Sequence, residues 1–278
     1  MTSYVFTEDE TPLTLREWFV QGNPEAIRAV TTELFDRALR PWYGHSSATT
    51  IDLFDEFPIF SGTSVNRMIV DCRRFHGFEI QIGGNTYVDG SLSWVSEVLR
   101  YLAGDSVSNV ATREIASELQ VLRSYRSICH GDLHLDNVLV LGKKGAEYPC
   151  VIDFEATHEG YVLKDFGRFI GGALFRTFDW SAAERGILVD QVISFLLEWQ
   201  DINLTIEDTI ALSKFSIAVV CAKRGALRAW QAGSYPGRNE LAAALIGSFL
   251  PFARYWDTSK DNAQLCLELT SALVGQFQ

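Results

Sequence analysis

The stretch from His130 to Asp153 fixes more of this chain's architecture than any other. It opens with His130-Gly-Asp-Leu-His-Leu-Asp-Asn137, runs through the apolar Val138 to Leu141, turns at Gly142 to Gly145, and returns through Tyr148 to Ile152 into Asp153. Two short apolar runs joined by a Gly-Lys-Lys-Gly turn predict an antiparallel hairpin. Such a hairpin sets Asn137, at the start of one strand, beside Asp153, at the end of the other. Their side-chain oxygens are the hard ligands that magnesium prefers, its other positions being left to water and nucleotide phosphates. An Asp directly after His-Gly lies on a tight loop, where it can take a proton from a substrate hydroxyl. Asp132 is therefore the candidate base, and Asn137 and Asp153 are the candidate metal ligands, in the order that phosphoryl transfer needs. Reading them as ordinary turn and capping residues would require three coincidences in sequence.

Around this stretch the pattern is largely helical. Asn23 can cap a helix that starts at Pro24 and carries Ile27, Val30, Leu34 and Ala38 as one apolar stripe. Helical periodicity also covers Ile187 to Trp199, Ile206 to Trp230, Glu240 to Tyr255, and Gln264 to the end, with a break at Gly233 to Gly237 around Pro236. Trp199 and Trp230 are expected in the core. Phe78, Ile80 and Ile82 alternate before Gly83-Gly84-Asn85, and Tyr87 and Val88 follow, which predicts a second hairpin. Helices are expected from Leu92 to Leu102 and from Thr112 through Ile115, Leu119 and Leu122. Residues 44–75 show no dominant period. The chain reads as a single α+β unit, mainly helical, with no interdomain linker or internal repeat.

Composition narrows the partners. With 278 residues, 47% of them hydrophobic, the chain can bury a substantial core. A formal charge of -11 repels a phosphate backbone, so neither nucleic acid nor an anionic membrane is expected as partner. The five cysteines are odd in number, widely spaced and free of any Cys-x-x-Cys pair, as suits a reducing cytoplasm. No segment approaches the ~20 apolar residues that a bilayer span needs, and the N-terminus has no basic-then-apolar leader. The expectation is a soluble cytoplasmic protein.

His130-Gly-Asp-Leu-His134-Leu-Asp-Asn137, a hydrophobic strand, then Ile152-Asp-Phe-Glu155 resembles the aminoglycoside phosphotransferase and choline kinase branch of the protein-kinase-like fold. The resemblance implies the larger, C-terminal lobe of that fold, with Asp132 as catalytic base, Asn137 and Asp153 as magnesium ligands, and His130 shaping the loop. It also implies ATP or GTP as phosphoryl donor and a small-molecule hydroxyl as acceptor. Asp165-Phe166-Gly167 spells the protein-kinase metal motif, but it follows no strand. The resemblance instead makes Asp165 the start of a helix and a backbone anchor of the catalytic loop. The wording Gly160-Tyr-Val-Leu-Lys-Asp-Phe-Gly-Arg-Phe169 is similar to kinase-like domains of bacterial ternary-complex systems.

The resemblance also implies a phosphate-holding strand lysine in an N-terminal lobe, and here no lysine precedes Lys143. Tyr4-Val-Phe and Leu13 to Trp18 look like the hinge strand and first helix of the larger lobe. The expected organisation is one domain over 1–278: a hinge-like start at 1–20, an insertion at 44–100, the catalytic and metal segment at 128–169, and a helical subdomain at 180–278. The expected activity is phosphoryl transfer once an N-terminal lobe is supplied, by a longer parent or a partner chain, and weak or no turnover by this chain alone. A non-catalytic kinase-like scaffold or nucleotide-binding module is the main alternative. A metallophosphatase is a poorer match, because Gly131-Asp-Leu-His134 lacks the second Gly-Asp and Gly-Asn-His-Glu segments of a two-metal site. His134 reads as a loop histidine held by backbone hydrogen bonds, and Glu155 as a second-metal contact or a solvated side chain.

Overall fold

The computed structural model describes residues 12–57, 71, 74, 79–82, 85–88, 121–143, 145–198, 209–230, 236–274 and 276. The expected strand at Tyr4 to Phe6, the helix at Leu92 to Leu102, and Trp199 lie outside the described residues.

A two-residue strand, β1 (Leu13–Thr14), leads into α1 (Leu15–Gln21), which is closed by a capping box between Thr14 and Glu17. Asn23 caps α2 (Pro24–Glu33) as its sequence predicts, and the helix runs on through a wide turn at Leu34–Ala38 into α3 (Arg40–Tyr43). Next come β2 (Ser47–Asp52), α4 (Leu53–Glu56), β3 (Glu79–Ile82) and β4 (Asn85–Val88), the last two forming the expected second hairpin. β5 (Val121–Cys129) corrects the sequence expectation at one point, since Leu122 belongs to this strand and not to a helix. The spacing of Ile115, Leu119 and Leu122 mimics a helical stripe, but residues 121–126 are claimed by pairing with β2 along six registered residue pairs. Tertiary pairing overrides local period there.

β6 (Val138–Leu141) and β7 (Tyr148–Val151) form the predicted catalytic hairpin, and β1 pairs with β6, giving the order β1-β6-β7. A second sheet has the order β2-β5-β8, where β8 is His158–Tyr161; it corrects the expectation that no strand precedes Asp165-Phe-Gly, a strand that forms only by pairing with the distant β5. Both sheets are antiparallel. The rest is helical: α5 (Leu163–Phe175), α6 (Ala182–Leu197), α7 (Ile210–Ala229), α8 (Arg238–Ala253) and α9 (Lys260–Val274).

α8 is buried along nearly its whole length and packs on α5 and α9, so it forms the axis of the helical half. Phe175 of α5 meets Phe249 edge-on at 5.0 Å and Phe252 at 5.8 Å. Burying each such ring stabilises the fold by roughly 1.5–3 kcal/mol. Trp230 lies in the core, as expected, against Tyr125. At the other end of α5, Phe166 stacks on Phe35 at 5.2 Å and the Ser248 hydroxyl donates to the Lys164 carbonyl, which holds the first turn under the catalytic loop.

Three lysines are spent inside this framework. Lys214 donates to the carbonyls of Phe19 and Val20, and Lys223 to those of Phe195 and Glu198. Each thereby satisfies carbonyls that a helix end leaves open. Lys164 donates to the Glu56 carbonyl and lies 3.2 Å from its carboxylate. Among the described residues no helix is long and apolar enough to cross a membrane.

Candidate active site

β5 runs directly into His130, and β8 begins directly after the loop that carries Asp153. Because Cys129 pairs with His158 across these strands, the two loops leave the sheet side by side. Gly131, at φ 84°, adopts a left-handed backbone, and a Cβ there would lie 2.2 Å from the Ala156 carbonyl oxygen. Glycine is therefore required twice over, by conformation and by the close approach of the second loop.

Asp165, fully buried in the first turn of α5, fixes the catalytic loop from below. Its carboxylate accepts from the backbone N–H groups of His130, at 2.7 Å, and Gly131, at 2.8 Å, and from the Tyr43 hydroxyl at 3.0 Å. Burial pushes the Asp165 carboxyl above its ordinary range, and these donors oppose that shift. The anchoring role implied by the Asp165-Phe-Gly context is thus what the structure contains. Tyr43 was invisible in the sequence, because it acts across 122 positions.

His130 reaches over to the metal loop, its Nε2 lying 2.8 Å from the Ile152 carbonyl oxygen. The Trp42 indole stacks on its imidazole with centroids 6.3 Å apart and 10° between the planes, and half-exposed Phe154 meets both rings. Asn137 joins the pieces. Its amide donates to the Asp132 carbonyl at 3.0 Å, and its own carbonyl accepts from Ile152 N at 2.9 Å. Asp132, Asn137 and the residue preceding Asp153 are therefore tied together by hydrogen bonds.

The donor set suits magnesium. Asn137 uses its NH2 on the Asp132 carbonyl, and its side-chain oxygen takes no hydrogen bond among the described residues. The Asp153 carboxylate has no hydrogen bond or ion pair there either. Asp153 is also the one non-glycine described residue with positive φ, at φ 59° and ψ 68°. A residue held in so sparsely populated a conformation, with an uncommitted carboxylate, has the character of a ligand residue. Glu155 is exposed.

Around Asp132, the candidate base, lies a chain of charges. Asp132 Oδ2 is 3.6 Å from His134 Nε2, and Asp132 Oδ1 is 3.7 Å from Arg168 Nε. On the other side of His134, Asp136 lies 3.6 Å from Nδ1, and it pairs with Arg176 at 3.1 Å and Arg16 at 3.8 Å. Partial burial works against the charge of Asp132, but His134 and Arg168 outweigh it and hold its carboxyl below the ordinary range. Burial likewise disfavours the His134 imidazolium, and Asp132 and Asp136 reverse that and raise its pKa. The backbone N–H of Asp136 donates to His134 Nδ1 at 3.3 Å, as expected of a loop histidine, and leaves Nε2 facing the base. A cavity of about 380 Å³, lined by Thr14, Arg16, Glu17, Gln21, Asp136 and Thr177 among others, lies on the Asp136 side. Sequence reasoning missed Arg16, Arg168 and Arg176, since isolated arginines in helices give no local signal.

Comparison with known families matches residues 89–203 to the phosphotransferase enzyme family. That segment contains every residue assigned above to base, metal and loop anchor. Comparison with curated proteins finds no match.

Proposed function

We propose that this chain, whose residues 89–203 match the phosphotransferase enzyme family, carries the base and metal half of a magnesium-dependent phosphoryl-transfer centre on a kinase-like larger lobe. The observation that supports it best is the convergence of Asp132, Asn137 and Asp153 through the bonds of Asn137 to Asp132 and Ile152. In this reading Asp132 accepts the proton of a small-molecule hydroxyl as its oxygen bonds to the γ-phosphorus of ATP or GTP and the bond to the leaving diphosphate breaks. Asn137 and Asp153 would hold magnesium, which offsets the charge of the phosphates.

In this reading the clamp on the nucleotide phosphates comes from outside the described residues. Lys164, Lys214 and Lys223 are buried on backbone carbonyls, and Lys143 sits at the turn end of the β6–β7 hairpin, away from Asn137. A lysine-bearing lobe outside residues 1–278, in cis or in trans, would supply it. The same placement of lysines favours a second reading, a kinase-like module that binds nucleotide without turnover.

γ-Phosphoryl turnover with magnesium and nucleotide separates the two. Slow transfer or hydrolysis, abolished in Asp132→Ala and Asp153→Ala, supports the enzyme. Magnesium-dependent nucleotide binding with turnover that neither substitution changes supports the module. Fast turnover, lost in both variants, would show that this chain already contains a substitute for the lysine.

A further inference from the structure

Arg168 lies one helical turn after Asp165 on α5, so both side chains project toward the catalytic loop from the same face. Asp165 takes the loop's backbone, and Arg168 faces its carboxylate. The Nε of Arg168 and the Oδ1 of Asp132 are both sealed from solvent, and neither has a hydrogen-bond partner among the described residues. They are 3.7 Å apart. A buried guanidinium N–H and a buried carboxylate oxygen without partners each cost more than a typical hydrogen bond returns, so their shared orientation calls for an explanation. The guanidinium is further fixed by the Phe252 ring, 5.9 Å below its central carbon, and the Arg168 side chain is only 16% exposed.

From this arrangement we infer that Arg168 is the positioning residue of the base: it holds Asp132 Oδ1 by charge and so turns Oδ2 toward the acceptor hydroxyl. The inference rests on the reading of Asp132 as the base. The 3.7 Å separation is part of the device. A full bidentate pair would occupy both carboxylate oxygens, whereas a single longer contact orients the group and leaves one oxygen for the proton.

Two measurements on the full chain test this. In a sample with 15N-labelled arginine, the Arg168 Nε–H resonance, assigned by its loss in Arg168→Met, is expected to exchange slowly because the group is sealed from solvent. It should shift in Asp132→Asn, which removes the facing charge; an unmoved resonance overturns the inference. In magnesium-nucleotide turnover, Arg168→Met is expected to lower kcat about a hundredfold, with the nucleotide KM within about twofold. Arg168→Lys, which keeps charge without the planar fork, should recover part of the loss. A wild-type kcat in Arg168→Met overturns the inference, provided Asp132→Ala abolishes turnover. Turnover unaffected by Asp132→Ala sinks the base assignment instead. If the wild type turns over too slowly to measure, the resonance alone decides.

Discussion

The two loops of the site are built on opposite plans. The loop from His130 to Asn137 is packed: His130, Leu133 and Leu135 are at most 1% exposed, and Asp165 grips its backbone from α5. The loop from Asp153 to Thr157 is exposed at every position, and its leading residue sits in a left-handed conformation with an uncommitted carboxylate. On the proposed reading, the contrast separates two tasks. A base has to be oriented before its substrate arrives, so the protein fixes it with buried bonds. A metal ligand meets an ion and phosphates that come from outside, so it is presented outward on a strained turn.

Removing the lock should have the largest effect. Asp165→Ala leaves His130 N, Gly131 N and the Tyr43 hydroxyl without their acceptor in a buried site, and should cost about 4 kcal/mol in denaturant unfolding. A cost below about 1 kcal/mol would show that the catalytic loop is no more fixed than its neighbour.

Glu56→Gln should follow, at about 3 kcal/mol, because it leaves the Lys164 ammonium buried without its counter-ion. Burial opposes the charge of Glu56, but Lys164 and His158 hold its carboxyl below the ordinary range. The sign follows from that depression. Its stabilisation is present above the unfolded carboxyl pKa and is lost as pH falls through the folded value. The gap in stability between wild type and Glu56→Gln should therefore shrink in acid; a gap constant down to acid unfolding would contradict the pairing.

Thr14→Ala should cost about 1 kcal/mol by opening the capping box of α1. It loosens the Arg16 side of the charge chain without touching Asp165, so it tests whether the packed loop depends on its flank. The exposed loop gives the smallest effect and the opposite sign. Asp153→Gly relieves a left-handed residue and should raise stability by up to about 1 kcal/mol. A thermal shift downward would mean that the carboxylate has a structural partner.

What the sequence made legible was local. The β6–β7 hairpin could be read because its strands are separated only by a glycine-bounded turn, and Asn137 and Asp153 were paired by that turn. The α2 cap at Asn23 and the four C-terminal helices follow from short-range period and break residues. β5 was hidden because its partner β2 lies some seventy positions earlier in the chain, and because Leu122 continues a spurious helical spacing. The buttress of the base was half legible. Asp165 carried a recognisable context, whereas Tyr43, Trp42 and Arg168 reach the loop only through tertiary packing.

The central claim is that Asn137 and Asp153 jointly hold a divalent ion with its nucleotide. Manganese, which accepts the same oxygen ligands as magnesium, can be added with ATP while amide line broadening is followed by NMR, a readout that detects even weak binding. The account predicts nucleotide-dependent broadening centred on the amides of Asn137 and Asp153, and its loss in Asp153→Ala. Broadening centred elsewhere, or unchanged in that variant, would contradict it.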